Sequence, residues 1–157
     1  MSIKLIAVTS SGYPAPIVPF RITTNSWRIF RCISEKSPKA NLLSDIGNLQ
    51  KIDLSKARNL FAVMGIKCQS GQPLGSMYDG DLYHKAHTFT YESGSGETVQ
   101  ADVWRIRQGY LRLYIIHISH KRIVCLYLWY KRTDKLTETE ISALTSLAKK
   151  ILLQEEG

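Results

Sequence analysis

The densest apolar patterning in the chain lies between residues 103 and 132. Three runs rich in β-branched and aromatic residues, 103–107, 111–118 and 123–130, are broken only by Gln108-Gly109 and by Ser119-His120-Lys121-Arg122. Short polar breaks between such runs predict an antiparallel meander. Upstream, residues 3–8 read as a short strand, 21–33 as a second, and 82–91 (LYHKAHTFTY) as a third that turns through 92–96 (ESGSG) and returns into 100–107.

Two stretches carry the helical period. Ser37-Pro38 is a helix start, with Ser at the N-cap and Pro at the first helical position, followed by Leu42, Leu43, Ile46 and Leu49. A second helix is predicted from Asp53, with Leu54, Ala57, Leu60, Phe61 and Met64 on one side and Gly65 as its C′ residue. The short gap between them predicts a helical hairpin laid against the sheet. Pro14, Pro16 and Pro19 make 9–20 a loop or arm, and the glycines of 69–80 mark another loop. Near the C-terminus, Thr137-Glu138-Thr139-Glu140 matches the capping-box pattern, opening a helix that buries Ile141, Leu144, Leu147, Ala148 and Ile151. The expectation is an α+β fold in one domain spanning 1–157: an antiparallel twisted sheet packed against an N-terminal helical hairpin, with a C-terminal helix and an N-terminal arm over 1–20.

Composition changes this picture through charge. The chain carries 21 Lys and Arg against 13 Asp and Glu, a formal net charge of +8. Between residues 103 and 135 the imbalance is sharper: eight cations face a single acid, Asp134. Arg105 and Arg107 stand two apart on one strand and so share a face, with Trp104 and Ile106 on the other. A cationic sheet face of this kind suits a polyanion. Three cysteines without C-x-x-C spacing argue against a disulfide framework or a zinc knuckle and fit a reducing cytosol. No run approaches the ~18 apolar residues that span a bilayer, so no membrane partner and a cytoplasmic location are expected. His84 and His87 lack an obvious third metal ligand and would point to opposite faces of a regular strand.

The segments VWRIR, YLRLYII and RIVCLYLWYKR, followed by DKLTETE opening a helix, resemble the C-terminal half of the RelE/ParE toxin superfamily, in its RelE- and HigB-like branch. The likeness covers residues 100–152; the first hundred residues share only the order of elements. It implies a RelE-like fold and the toxin of a type II toxin–antitoxin system, a ribosome-dependent mRNA endonuclease (mRNA interferase) that inhibits translation. The implied chemistry is metal-free transesterification by the 2′-OH, with no cofactor, and the implied partners are a cognate antitoxin protein, the ribosome and mRNA.

Matched position by position, Arg105 and Arg107 fall on the family's paired basic residues, Arg112 on the arginine opening the next strand and Arg132 on the one ending the last. Lys121, Arg122, Lys131 and Lys135 would bind RNA. Arginine clamps phosphate well but hardly deprotonates, and this chain has arginines where relatives carry lysines. Proton transfer would then fall to Tyr130 or His120, although His120 also reads as an ordinary exposed turn residue. His117, on the parity of Leu113 and Ile115, reads as packed. The alternatives are a ParE-like DNA gyrase inhibitor and a non-enzymatic RNA- or protein-binding module. A second register, with 81–85 as the family's first basic strand, competes with VWRIR, which the tight hairpin favours.

Overall fold

The computed structural model describes residues 3–8, 24–34 and 42–156. Their order is β1 (Ile3–Ala7), β2 (Arg28–Ser34), α1 (Leu42–Gly47), α2 (Lys51–Cys68), α3 (Leu74–Met77), β3 (Tyr83–Glu92), β4 (Thr98–Gln108), β5 (Leu111–Ile118), β6 (Arg122–Tyr130) and α4 (Glu138–Glu155). The fold is α+β around one six-stranded sheet of order β1-β2-β6-β5-β4-β3.

The four strands β3 to β6 form the antiparallel meander that the apolar runs and their breaks predict. Gly109 takes φ +58, which the primed two-residue hairpin turns require, and Gln108 pairs with Leu111 across it. Residues 103–107 therefore do join 111–118 through a tight hairpin, and 83–92 forms a further strand beyond them rather than replacing them.

The sheet is mixed, not antiparallel throughout. β2 runs parallel to β6, Arg28 to Arg31 pairing with Arg122 to Cys125, while β1 closes the edge as an antiparallel neighbour of β2. Helices cover both faces. Leu42, Ala57, Leu60, Phe61 and Met64 from the first two helices pack on one face with Leu113, Ile115 and Leu128. Leu144, Leu147, Ala148 and Ile151 of α4 pack on the other with Val103, Tyr114 and Ile116. Covering both faces explains why β5 is buried along Leu111 to Ile116 without alternation.

Several helical expectations are corrected. The start at Ser37-Pro38 lies outside the described residues. α1 lies against β6 and α2 crosses β4 and β5, and a helical hairpin is not what they show. Gly65 does not end α2; it is buried inside a helix that continues to Cys68, which is itself fully buried, so packing overrides the glycine's ~1 kcal/mol helix penalty. Within the expected 69–80 loop, Leu74–Met77 forms a single helical turn that buries Leu74. At α4 the capping box is complete: Thr137 Oγ1 accepts from the Glu140 backbone N–H and Glu140 Oε1 accepts from the Thr137 N–H. Ile141 is half-buried rather than buried.

Among the described residues, no helix is long and apolar enough to cross a membrane. Cys32, Cys68 and Cys125 are buried.

Candidate functional site

The register places Arg107 opposite Arg112, with Arg105 one residue pair further along the same face. This is the face that α4 covers, at the end where the β6–α4 connection crosses it. The arginines do gather here, but around the protein's own carboxylate. Asp134 Oδ1 accepts from Arg105 Nη1 at 2.5 Å and from Arg112 Nε at 2.9 Å. Arg105 also donates to the Asp81 carbonyl at 2.7 Å, and Arg112 to the Gly109 carbonyl at 2.6 Å.

The two guanidinium residues are 1% and 3% exposed. The expectation that Arg105 and Arg112 stand open as a phosphate clamp is therefore corrected. A charge taken out of water needs a counter-charge and hydrogen bonds, and Asp134 with two carbonyls supplies them. Desolvation lowers the Arg105 pKa, opposed by Asp134. Desolvation pushes the Asp134 carboxyl up, but Arg105 and Arg112 outweigh it and hold the group below the usual carboxylate range.

Three other cations are likewise occupied. Arg122 pairs with Glu155 at 2.7 Å, tying the start of β6 to the end of α4. Lys131 pairs with Glu140 at 2.6 Å. Lys121, held at φ 52, donates to the carbonyls of Asn25 and Gly71 at 3.2 and 3.0 Å.

His120, Lys121 and Arg122 also sit at the far end of the meander from Arg112 and Arg132. β5 separates the two turns by seven residue steps, roughly 23 Å of strand. His120 cannot serve a reaction at the arginine cluster from there.

An open surface remains at the Arg112 end. Tyr110 and Tyr130 are 46% and 45% exposed, the largest exposures among the described aromatics, and their rings meet edge to face at 5.5 Å. The Arg132 guanidinium lies 5.8 Å from the centre of the Tyr110 ring. A backbone bond from Lys131 N–H to the Tyr110 carbonyl, 2.8 Å, fixes the two loops together. Lys56 of α2 reaches the same turn, 3.9 Å from where a side chain on Gly109 would begin. Arg107 is half-buried beside it, and Lys135 is exposed on the following loop. Of the other aromatics, Tyr114 is fully buried, and Tyr127 and Trp129 stack on each other at 5.0 Å.

A second concavity had no counterpart in the site expected from sequence. Trp27, Leu74, Tyr83, His84, Trp104 and His117 line a cavity of about 450 Å³, which His84 joins to the arginine cluster through Arg105. His117 is half-buried there, as its strand parity implies, with Nε2 2.9 Å from the Tyr83 hydroxyl.

The two histidines of β3 depart from their expected geometry. A bulge at Ala86 shifts the register, so His84 pairs with Arg105 and His87 with Val103, and both face the same side. His84 Nδ1 lies 2.9 Å from Arg105 Nη2 and 3.2 Å from the Gly80 carbonyl oxygen. His87 is bonded to Thr145 at 3.2 Å. Among the described residues, no group of three or more His, Cys, Asp or Glu could hold a metal ion.

No protein-family model matches the chain, nor does any curated protein or solved structure.

Proposed function

We propose that the protein is an RNA-binding module that engages single-stranded RNA at the Tyr110–Tyr130–Arg132 end of the meander. The observation that carries this reading is the exposed, edge-to-face tyrosine pair with an arginine stacked on it. Exposed aromatic faces stack bases, and neighbouring cations track the phosphate backbone. Arg107, Lys56 and Lys135 supply further charge around it. Arg105, Arg112 and Asp134 act beneath the site as a buttress that holds the hairpin end rigid.

Binding is favoured over cleavage because strand scission needs a group that can take and return a proton. The residues around the tyrosine pair are arginines and lysines, and His120 is at the other end of the strand. Tyr110 and Tyr130 are the exposed phenols placed to contribute.

The RelE-like toxin is the second reading, including its RelE-like fold, ribosome and antitoxin partners and cytoplasmic site of action. What favours it is the order of elements, with a strand, helices, an antiparallel meander and a final helix. In that reading Arg107, Arg132 and Tyr130 would carry the chemistry, while Arg105 and Arg112 would position them. A ParE-like action on DNA gyrase has no specific feature of this surface to support it.

The test is affinity for a short uridine-rich oligoribonucleotide over a range of salt. The Tyr110→Ala/Tyr130→Ala double variant should lose about tenfold or more, since each stacked base is worth ~1–3 kcal/mol. Arg132→Ala should weaken binding and flatten the salt dependence by about one phosphate contact. Unchanged affinity in both variants would reject the site. Pulse-labelling of translation after induction in cells separates the readings: arrest favours the toxin, and continued synthesis favours the binding module.

A further inference from the structure

The sheet forks. β4 pairs with β5 only between Trp104 and Gln108, while β3 stays paired with β4 as far back as Thr98. Before Trp104 the β3–β4 hairpin therefore leaves β5, and a cleft of about 270 Å³ opens between the diverging strands. Tyr91, Ala101, Ile116 and Leu152 give its lining apolar surface, and Gln100 and Asp102 give it polar surface.

Backbone direction decides what this cleft can hold. Successive residues of a strand turn their N–H and C=O groups to opposite neighbours. The Arg107 N–H bonds to the Leu82 carbonyl on the β3 side, at 2.7 Å, so the even-numbered residues of β4 face β5. Trp104, Ile106 and Gln108 find their partners there. Thr98, Gln100 and Asp102 do not, and no described backbone bond reaches them from that side. The edge from Thr98 to Asp102 is left with its ladder groups open, over roughly 17 Å of strand.

The two outer edges of the sheet are guarded, and this inner one is not. β3 carries the bulge at Ala86 and the exposed Lys85, both of which discourage a further strand. On β1, Gln154 of α4 holds the Ile3 N–H and carbonyl, at 2.7 and 2.6 Å. Charge then selects the occupant of the fork. Residues 86–104 include Glu92, Glu97 and Asp102 but no lysine or arginine, in a chain of net charge +8. Glu156 brings a further carboxylate by accepting from the Gly94 N–H at 2.8 Å. Lys85 offsets Asp102 alone, at 3.5 Å. The fork end of β4 is thus acidic, roughly 26 Å along the strand from the basic tyrosine end.

We propose that the fork docks an extended basic segment of a partner protein, which adds a short strand to β4 along Thr98 to Asp102. Its backbone takes up the open groups of Thr98, Gln100 and Asp102. Apolar side chains on one face of the added strand rest against Ile116 and Leu152, and its lysines or arginines meet Glu92, Glu97 and Glu156. Main-chain pairing of this kind supplies affinity, and the alternating side chains supply specificity. The site is separate from the proposed RNA surface and does not depend on it.

The full chain, labelled with ¹⁵N, is titrated with a short Lys-Val repeat peptide, with the same peptide N-methylated at every residue, and with a Glu-Val repeat. The Lys-Val peptide should saturate with a midpoint below about 1 mM and slow hydrogen exchange at the Gln100 and Asp102 amides. Methylation keeps its charge but removes its donors, and should weaken binding about tenfold or more. The Glu-Val peptide should also bind more weakly. Gln100→Pro removes an open donor at an edge that tolerates proline, and should weaken Lys-Val binding about tenfold. If that variant fails to fold, Glu97→Lys replaces it and should weaken binding about threefold. No saturation by about 10 mM, equal binding of the methylated or Glu-Val peptide, unchanged binding by the folded variant, or protection that appears on β3 instead would overturn the proposal. Gln100 and Asp102 amides already protected in the free chain would overturn it too.

Discussion

Asp134 Oδ1 stands 2.5 Å from Nη1 of Arg105, a guanidinium residue only 1% exposed to solvent. The single acid of the basic stretch is thus the counter-ion of its most buried cation. Removing it leaves Arg105 charged, buried and short of a partner. Full burial of both partners would make that loss ~3–5 kcal/mol; the half-exposed Asp134 side chain reduces it. Asp134→Ala should cost about 2 kcal/mol, measured by urea unfolding at pH 7. The carboxyl is held below its usual range, so its contribution is present above the unfolded value and lost as pH falls through the folded one. The wild-type advantage over Asp134→Ala should shrink with acidification below about pH 4.

Asp45 behaves in the opposite sense. It sits on α1, where Oδ2 accepts from the Leu128 backbone N–H at 2.9 Å, and burial raises its pKa from 3.8 to about 6. The folded state therefore favours the protonated form. That stabilisation is complete below pH 3.8 and is lost as pH rises through about 6. Asp45→Asn keeps an acceptor for Leu128 without the buried charge. It should be more stable than wild type at pH 8 by ~1 kcal/mol, after allowing for partial exposure, with the gain absent below about pH 4. Thermal melts at the two pH values check this.

Gly71 adopts φ +72, and a Cβ there would lie 1.7 Å from the Asn25 carbonyl oxygen. The same loop receives Lys121 on its carbonyl, and its neighbour Gln72 accepts the Trp27 indole N–H at 2.8 Å. Gly71→Ala meets both a backbone clash and an unfavourable φ. It should destabilise the fold by about 3 kcal/mol or more, and it should alter Trp27 fluorescence because that indole is anchored to the displaced loop.

The meander and α4 were legible in the sequence because their signals are local. Gly109 follows an apolar run at the point where a hairpin must turn, and Thr137 with Glu140 forms the cap that the pattern specifies. The parallel pairing of β2 with β6 was not legible, since it joins residues about ninety apart and leaves no local mark. The bulge at Ala86, which brings His84 and His87 to one face, also has no compositional sign. At the candidate site, strand parity correctly grouped Arg105 and Arg107 away from Trp104 and Ile106. It could not tell an exposed cation from a buried one. The available signal was Asp134 itself: one acid among eight cations, just past the third strand, is placed to be claimed by them. The Trp27–Tyr83–Trp104–His117 cavity was hidden because its walls come from four separate strands or loops, each of which reads as ordinary core.

The most direct test of RNA binding at the hairpin end is ultraviolet cross-linking of the full chain to a uridine-rich single-stranded RNA, with the adducts mapped by mass spectrometry. The expected result is cross-linking at Tyr110 or Tyr130, suppressed by rising salt. Adducts confined to the His120–Arg122 turn, or none on either tyrosine under conditions where the RNA is bound, would contradict it.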